Sequence, residues 1–199
     1  MPEPLSPSIG LGVLHLFFQV DPDVDADAIV EAVTSCQADD HQVVTFAVLG
    51  HKADLGVMAL GKDLWRLRRL QSELCHAGLV LVDSYVSMTE ASEYAAGMPQ
   101  EMLDARLYPN LPPNGMRAIC FYPMSKRRGL GREDANWYTL PFDDRNRLMR
   151  EHGASGRKFH GRVTQMVTGS VGFDDFEWGV TLFAHDPVDL KQVVYTMRF

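Results

Sequence analysis

The chain lacks the marks of several common protein classes. Its three cysteines, Cys36, Cys75 and Cys120, are odd in number, far apart and without metal-ligand spacing, so neither a disulfide framework nor a zinc ribbon is expected. That usage points to a reducing cytoplasm. No uninterrupted apolar run approaches the roughly 20 residues of a membrane span, and no charged n-region followed by an apolar segment opens the chain, so a soluble protein is expected. Basic clustering is also missing: 19 Lys and Arg stand against 26 Asp and Glu, a net charge of -7, which argues against a nucleic-acid partner. Ser-His-Asp spacing, paired carboxylates and an HExxH helix are absent too. The RRGLGRED stretch from Arg127 lacks the full glycine pattern of a nucleotide loop and reads as an active-site flap. Small molecules and other subunits remain as partners.

What is present is material for a core. A chain of 199 residues that is 46% hydrophobic can build one large domain or two small ones. Residues Met1 to Ser8 hold three prolines and read as a mobile arm. Apolar runs and helical spacing then predict strand Leu11 to Val20, helix Asp27 to Cys36, a hairpin of Gln42 to Leu49 with Leu55 to Leu60, helix Lys62 to His76 and strand Leu79 to Met88. This order, β-α-β-β-α-β, is that of a ferredoxin-like unit.

Thr89 to Gly115 reads as a connector, partly helical at most. The order then repeats as strand Arg117 to Met124, a polar loop, a helix reaching His152, strands Arg162 to Thr168 and Phe176 to Ala184, and helix Pro187 to Met197. GVMALGKDLWRLRRL from Gly56 and GVTLFAHDPVDLKQVV from Gly179 form a weak internal repeat. The second unit stops one element early. A sheet short of a strand exposes an edge, so a shortened second unit is expected.

Leu140 to Ser170 is the expected working centre. Asp143 and Asp144 load the first turn of its helix, Arg150 and His152 sit toward the end, and Gly153 reads as the stop. Leu148, Met149 and His152 share a face, so the imidazole points inward with the apolar residues. Such a histidine is either a structural group capping the last carbonyls or a metal ligand. Asp174, Asp175 and Glu177 read as a hairpin turn rather than a cation site.

CFYPMSKRR (Cys120 to Arg128), NWYTLP (Asn136 to Pro141), RLMREHG (Arg147 to Gly153), GRKFHGRVTQMVTGS (Gly156 to Ser170) and EWGVTLF (Glu177 to Phe183) decide between these alternatives. In this order they closely resemble the coproheme decarboxylases of the chlorite dismutase-like family, over most of Arg106 to Phe199. The resemblance implies an α+β fold of two ferredoxin-like repeats forming one α+β barrel. Residues 9–95 would be the first repeat, 96–115 the connector and 116–199 the haem-binding repeat. The family usually assembles as a ring of five.

The same resemblance implies that His152 is the proximal iron ligand, leaving His15, His41, His51, His76, His160 and His185 as surface or structural residues. It implies that Tyr122 is the redox-active tyrosine and that Lys126 pairs with a reactive propionate. Residues by themselves allow a strand end with an aromatic core residue and a solvated KRR cluster. In an extended segment Tyr122, Met124 and Lys126 share a face, with Pro123 marking an edge strand.

Arg106 in RLYP matches a propionate-binding arginine, its alternative being a surface arginine. Arg157 and Met124 join the substrate-binding set, and Tyr85 is either a further propionate contact or a strand tyrosine. Gln165 matches the distal glutamine of the decarboxylases, where a chlorite dismutase carries arginine. The implied activity is peroxide-dependent decarboxylation of iron coproporphyrin III to haem b, the porphyrin being substrate and its own redox cofactor. A transient contact with ferrochelatase is implied as well. The alternatives are chlorite dismutase or haem peroxidase, and a non-catalytic haem-binding or sensing protein. Because the family continues past a YTMRF-like segment into another strand, the expectation is either a shortened protein, with an open sheet edge beside the haem site and an empty or partly ordered pocket, or further residues beyond Phe199.

Overall fold

The structure is a computed structural model that describes residues 3–129 and 136–197. The expected flap falls largely on residues 130–135, outside the described residues.

The first half runs β1 (Gly12–Val20), α1 (Ala26–Ala38), β2 (Gln42–Ala47), β3 (Leu55–Gly61), α2 (Leu64–His76) and β4 (Leu79–Thr89). A 3-10 turn (Glu93–Ala95) and α3 (Gln100–Leu107) occupy the connector. The second half runs β5 (Ala118–Met124), a 3-10 turn (Trp137–Thr139), α4 (Phe142–Arg157), β6 (Val163–Gly169), β7 (Trp178–Ala184) and α5 (Pro187–Thr196). Three helices begin at an aspartate whose carboxylate takes an otherwise unpaired amide of the first turn: Asp25 for α1, Asp63 for α2 and Asp186 for α5.

Two expectations need correction. Within the described residues the N-terminal arm is docked at Leu5, which donates its amide to the Asp63 carboxylate at 3.3 Å and accepts from the Leu64 amide at 3.0 Å. Helix α4 runs through Gly153 to Arg157. Gly153 does not take the positive φ by which a glycine ends a helix, and the last turn closes instead at Lys158, whose amide bonds back to the Ser155 and Gly156 carbonyls. Burial of Phe159 carries the chain onward past Gly153, since Phe159 is 6% exposed in a cluster with Val180, Leu182 and Val193.

Among the described residues the strands form one antiparallel sheet in the order β2-β3-β1-β4-β6-β7-β5. The halves join through a short β4–β6 pairing, Met88 opposite Gly169 and Thr89 opposite Thr168. The sheet curls into a barrel, because side chains distant in strand order meet inside it. Val13 from β1, Met58 from β3, Met166 from β6 and Phe183 from β7 share one buried cluster, and His15 on β1 stacks on Phe121 of β5 at 4.1 Å. Pro123 lies on β5, at one end of the strand order, where a missing amide costs no ladder bond.

Side-chain alternation divides the barrel into two faces. Outside the first half, Leu14, Leu16 and Phe18 meet Leu67, Leu70 and Leu74 of α2. Outside the second half, Val180 and Leu182 meet Val193 of α5, with Tyr122 and Met124 packed alongside. Inside, a polar layer ties the halves together. His15 Nε2 pairs with Thr181 Oγ1 at 3.0 Å, Ser87 with Thr168 at 2.8 Å, and Tyr85 with Ser170. Gly179 permits this layer: a Cβ there would stand 2.8 Å from the Tyr85 ring.

His15 is 0% exposed, and desolvation lowers its pKa to about 3. The folded protein therefore keeps the ring neutral while the unfolded chain protonates near 6.5, so stability present above pH 6.5 is lost as pH falls toward 3. Denaturant melts between pH 7 and pH 4 are expected to show His15 contributing a slope of up to about 1.4 kcal/mol per pH unit. His15→Phe should flatten that slope, and an unchanged slope would remove His15 as its source.

Candidate functional site

The site is built around α4, which is held at both ends and left open between them. At its N-terminal end, Arg145 pairs with Glu93 of the connector at 3.1 Å, and Phe142 stacks on Tyr94 at 5.7 Å. At the other end Phe159 enters the cluster under α5. Between these anchors no residue of α4 is fully buried. Leu148, Met149, His152 and Ser155, spaced as one stripe of a helix, line a cavity of about 260 Å³ with Lys126, Trp137, Glu151 and Met197. An apolar stripe that faces open space rather than a packed layer is shaped to take a ligand.

His152 borders this open space and makes no hydrogen bond among the described residues. Desolvation, then the charge of Lys126, holds its pKa below the ordinary 6.5. The ring is neutral near pH 7 and has a nitrogen lone pair to give a metal. Among the described residues no three His, Cys, Asp or Glu side chains group to hold a metal ion. A metal bound at His152 must bring its other ligands with it, as an iron porphyrin does.

The β5 register extends the site along the outer face of the sheet. Tyr122 lies opposite Val180, itself opposite Val167, while Gln165 lies one row away, in line with Leu182 and Cys120. Tyr122, Met124 and Gln165 therefore share the face on which α5 packs, as the alternation predicts. Tyr122 opens onto a second cavity of about 500 Å³, lined by Cys120, Pro187, Leu190, Lys191, Val194 and Tyr195. Desolvation, with Cys120 adding to it, pushes the Tyr122 phenol up. Val194 and Met197, three residues apart near the end of α5, border one cavity each.

Lys126 belongs to the first cavity. Its ammonium lies 4.3 Å from the centre of the Trp137 ring, and desolvation lowers its pKa against the pull of Glu177. Glu177 accepts from the Lys126 amide at 2.8 Å, from Arg128 at 2.6 Å and from the Tyr138 hydroxyl. Burial alone would raise the Glu177 pKa, and these bonds outweigh it, leaving a carboxylate below its ordinary range.

The remaining expected residues lie apart from the two cavities. Tyr85 is 4% exposed on the inner face, its hydroxyl bound to Ser170. Arg106 is exposed at the end of α3, and the Arg157 guanidinium lies over Gly153 on an exposed side of α4. Of the other histidines, His15 and His41 are buried with polar partners, and His76 and His185 bond backbone carbonyls. Sequence reasoning missed Trp137, Tyr94 and the clasp around Glu177. Trp137 and Glu177 sit inside the NWYTLP and EWGVTLF blocks, whereas nothing local marks Tyr94. Asp174 does lie in the turn before β7, but Glu177 points away into its own cluster.

The fold is a curled antiparallel α+β barrel, and its open-sided helix presents to the cavity an imidazole that has no hydrogen-bond partner among the described residues. The family model described as chlorite dismutase matches residues 24–199, and the chain belongs to that family. It is 42% identical over 211 residues to the coproheme decarboxylase of Staphylococcus carnosus, covering 94% of this chain and 83% of that protein. A solved heme-binding protein from Thermus thermophilus superposes with a TM-score of 0.81 at 34% identity, over 100% of this chain and 87% of the other. A variant chlorite dismutase from Candidatus Nitrospira defluvii gives 0.71 at 20% identity, covering 96% and 84%, and shares the fold.

In the ligand-free protein His152 is expected to titrate below 6.5 by NMR. Lys126→Gln should move that titration upward, though not fully back, because desolvation is the larger cause. An unmoved titration would show that Lys126 does not act on the ring.

Proposed function

We propose that this protein is a coproheme decarboxylase, converting two propionates of iron coproporphyrin III to vinyl groups to give haem b with hydrogen peroxide as oxidant. The carrying observation is that His152 and Lys126, neither of which has a carboxylate partner among the described residues, line one cavity, while Tyr122 stands on the adjoining sheet face. A flat macrocycle with carboxylates on several edges can meet all three. At each propionate, loss of carbon dioxide, one proton and two electrons leaves the vinyl group, and those electrons reduce one hydrogen peroxide to two waters.

In this reading His152 ligates iron and fixes the macrocycle on α4, whose anchored ends hold the ring in one orientation. The bound iron porphyrin supplies the oxidising chemistry with peroxide. Lys126 pairs with the carboxylate of the reacting side chain. Tyr122 gives up its phenolic hydrogen and recovers one from the propionate, and its desolvated environment keeps the phenol protonated until then. Gln165 offers a neutral amide on the same face, a poor substitute for the arginine that would hold an oxyanion such as chlorite. Met124 packs between Tyr122 and Lys126 on that face. Arg106 and Arg157, set apart from the cavities, complete the substrate-binding set in this reading, whereas Tyr85, bound to Ser170 inside the barrel, serves as a strand tyrosine.

The reading also assigns residues 9–95 to a scaffold repeat, 96–115 to a connector and 116–199 to the repeat that carries the site. It includes a homopentamer, a cytoplasmic location and a transient contact with ferrochelatase. No helix is long and apolar enough to cross a membrane among the described residues.

Incubating the iron-coproporphyrin complex with peroxide and following product masses tests the proposal. Two successive losses of one carbon dioxide and two hydrogens are expected. Unchanged porphyrin would favour a haem-binding or sensing protein, and oxygen release from chlorite would favour the dismutase. His152→Ala should abolish the histidine-ligated spectrum and weaken iron-porphyrin binding, and a retained spectrum would place the ligand elsewhere. Tyr122→Phe keeps the ring and nearly all its burial, so it should bind porphyrin normally and lose decarboxylation by about a hundredfold or more, a barrier increase of at least about 2.7 kcal/mol. Full turnover by that variant would remove the phenol from the chemistry.

A further inference from the structure

We propose that Arg128 is a positioning residue that keeps the Lys126 ammonium free for a substrate carboxylate by occupying Glu177. The inference rests on the reading that Lys126 meets a propionate. Glu177 is 8% exposed and divides its two oxygens: Oε1 accepts from Arg128 Nη2 at 2.6 Å and from the Tyr138 hydroxyl, while Oε2 accepts from the Lys126 backbone amide at 2.8 Å. The carboxylate thus touches Lys126 through its main chain while the side chain lies elsewhere, with Nζ 4.3 Å from the Trp137 ring centre. Among the described residues Lys126 has no carboxylate partner, whereas Arg128 forms an ion pair with Glu177.

That division is not the default. A carboxylate bonded to the backbone of a lysine lies within reach of that lysine's own flexible stem, and a charge-assisted bond outcompetes a cation–π contact. What prevents the capture is a nearer and better-shaped cation. The Arg128 guanidinium neutralises Glu177 and is itself steadied over the Tyr138 ring at 4.8 Å. Arg128 is 67% exposed and lines neither cavity, so its removal deletes no direct substrate contact. With Arg128 gone, Glu177 draws the Lys126 ammonium away from Trp137 and out of the His152 cavity.

Binding of metal-free coproporphyrin III, followed by porphyrin fluorescence, tests this without turnover. Arg128→Gln should weaken binding about fivefold, the scale of one partly exposed ion pair, and Lys126→Gln by a similar factor. The double variant Arg128→Gln/Glu177→Gln removes the competing carboxylate as well, so its affinity should return to within about twofold of Glu177→Gln alone. A purely structural role for Arg128 predicts the opposite, since the double variant would bind no better than Arg128→Gln. In the ligand-free protein Arg128→Gln should change tryptophan emission, and the change should vanish when Trp137→Phe is present. Normal binding by Arg128→Gln alongside weak binding by Lys126→Gln would overturn this inference and leave the proposed function standing. Normal binding by Lys126→Gln would overturn both.

Discussion

Everything in the site depends on α4 being fixed at its two ends and unsupported in the middle. An amphipathic helix ordinarily buries its apolar stripe against a neighbouring layer, as α2 does with Leu67, Leu70 and Leu74. Helix α4 has an equivalent stripe in Leu148, Met149 and His152, yet none of it is buried. The connector holds one end through Glu93 and Tyr94, and Phe159 holds the other, so the helix cannot collapse onto the sheet to bury that stripe. The apolar surface left open lines the cavity beside His152.

The barrel interior supplies the rigidity against which this arrangement works. Three side-chain hydrogen bonds cross from strands of the first half to the second, each buried where unmade bonds are costly. They also explain why Tyr85 and His15 are unsuited to meeting substrate: both point into the barrel, on the opposite side of the sheet from Tyr122. The first half thereby braces the sheet of the second half from inside the barrel.

Around the cavity, two titratable groups are left without a charge partner among the described residues. His152 has no internal partner among the described residues, and Lys126 has an aromatic face in place of a carboxylate. Glu177, a carboxylate bonded to the Lys126 backbone, is engaged by a phenol, an amide and a guanidinium. Desolvation of His152 and Lys126 makes both more responsive to an incoming metal and carboxylate than they would be in water.

The sequence by itself determined what depends on local pattern. Strand and helix periodicity placed the two units in order, the spacing of Leu148, Met149 and His152 put the imidazole on an apolar face, and alternation put Tyr122 and Met124 on one face of β5. These are short-range geometric consequences of the backbone, legible without knowing the fold. Only the tertiary structure decided where α4 ends, because Gly153 is compatible with either a stop or a continuing helix and the burial of Phe159 from outside the helix settles it. It alone assigned Tyr85 to the barrel interior, since which face of β4 is inner depends on how distant strands curl together. It alone joined Glu177 to Lys126, residues far apart in sequence whose meeting is a product of β5–β7 pairing, and long-range pairing leaves no periodic trace in a single chain.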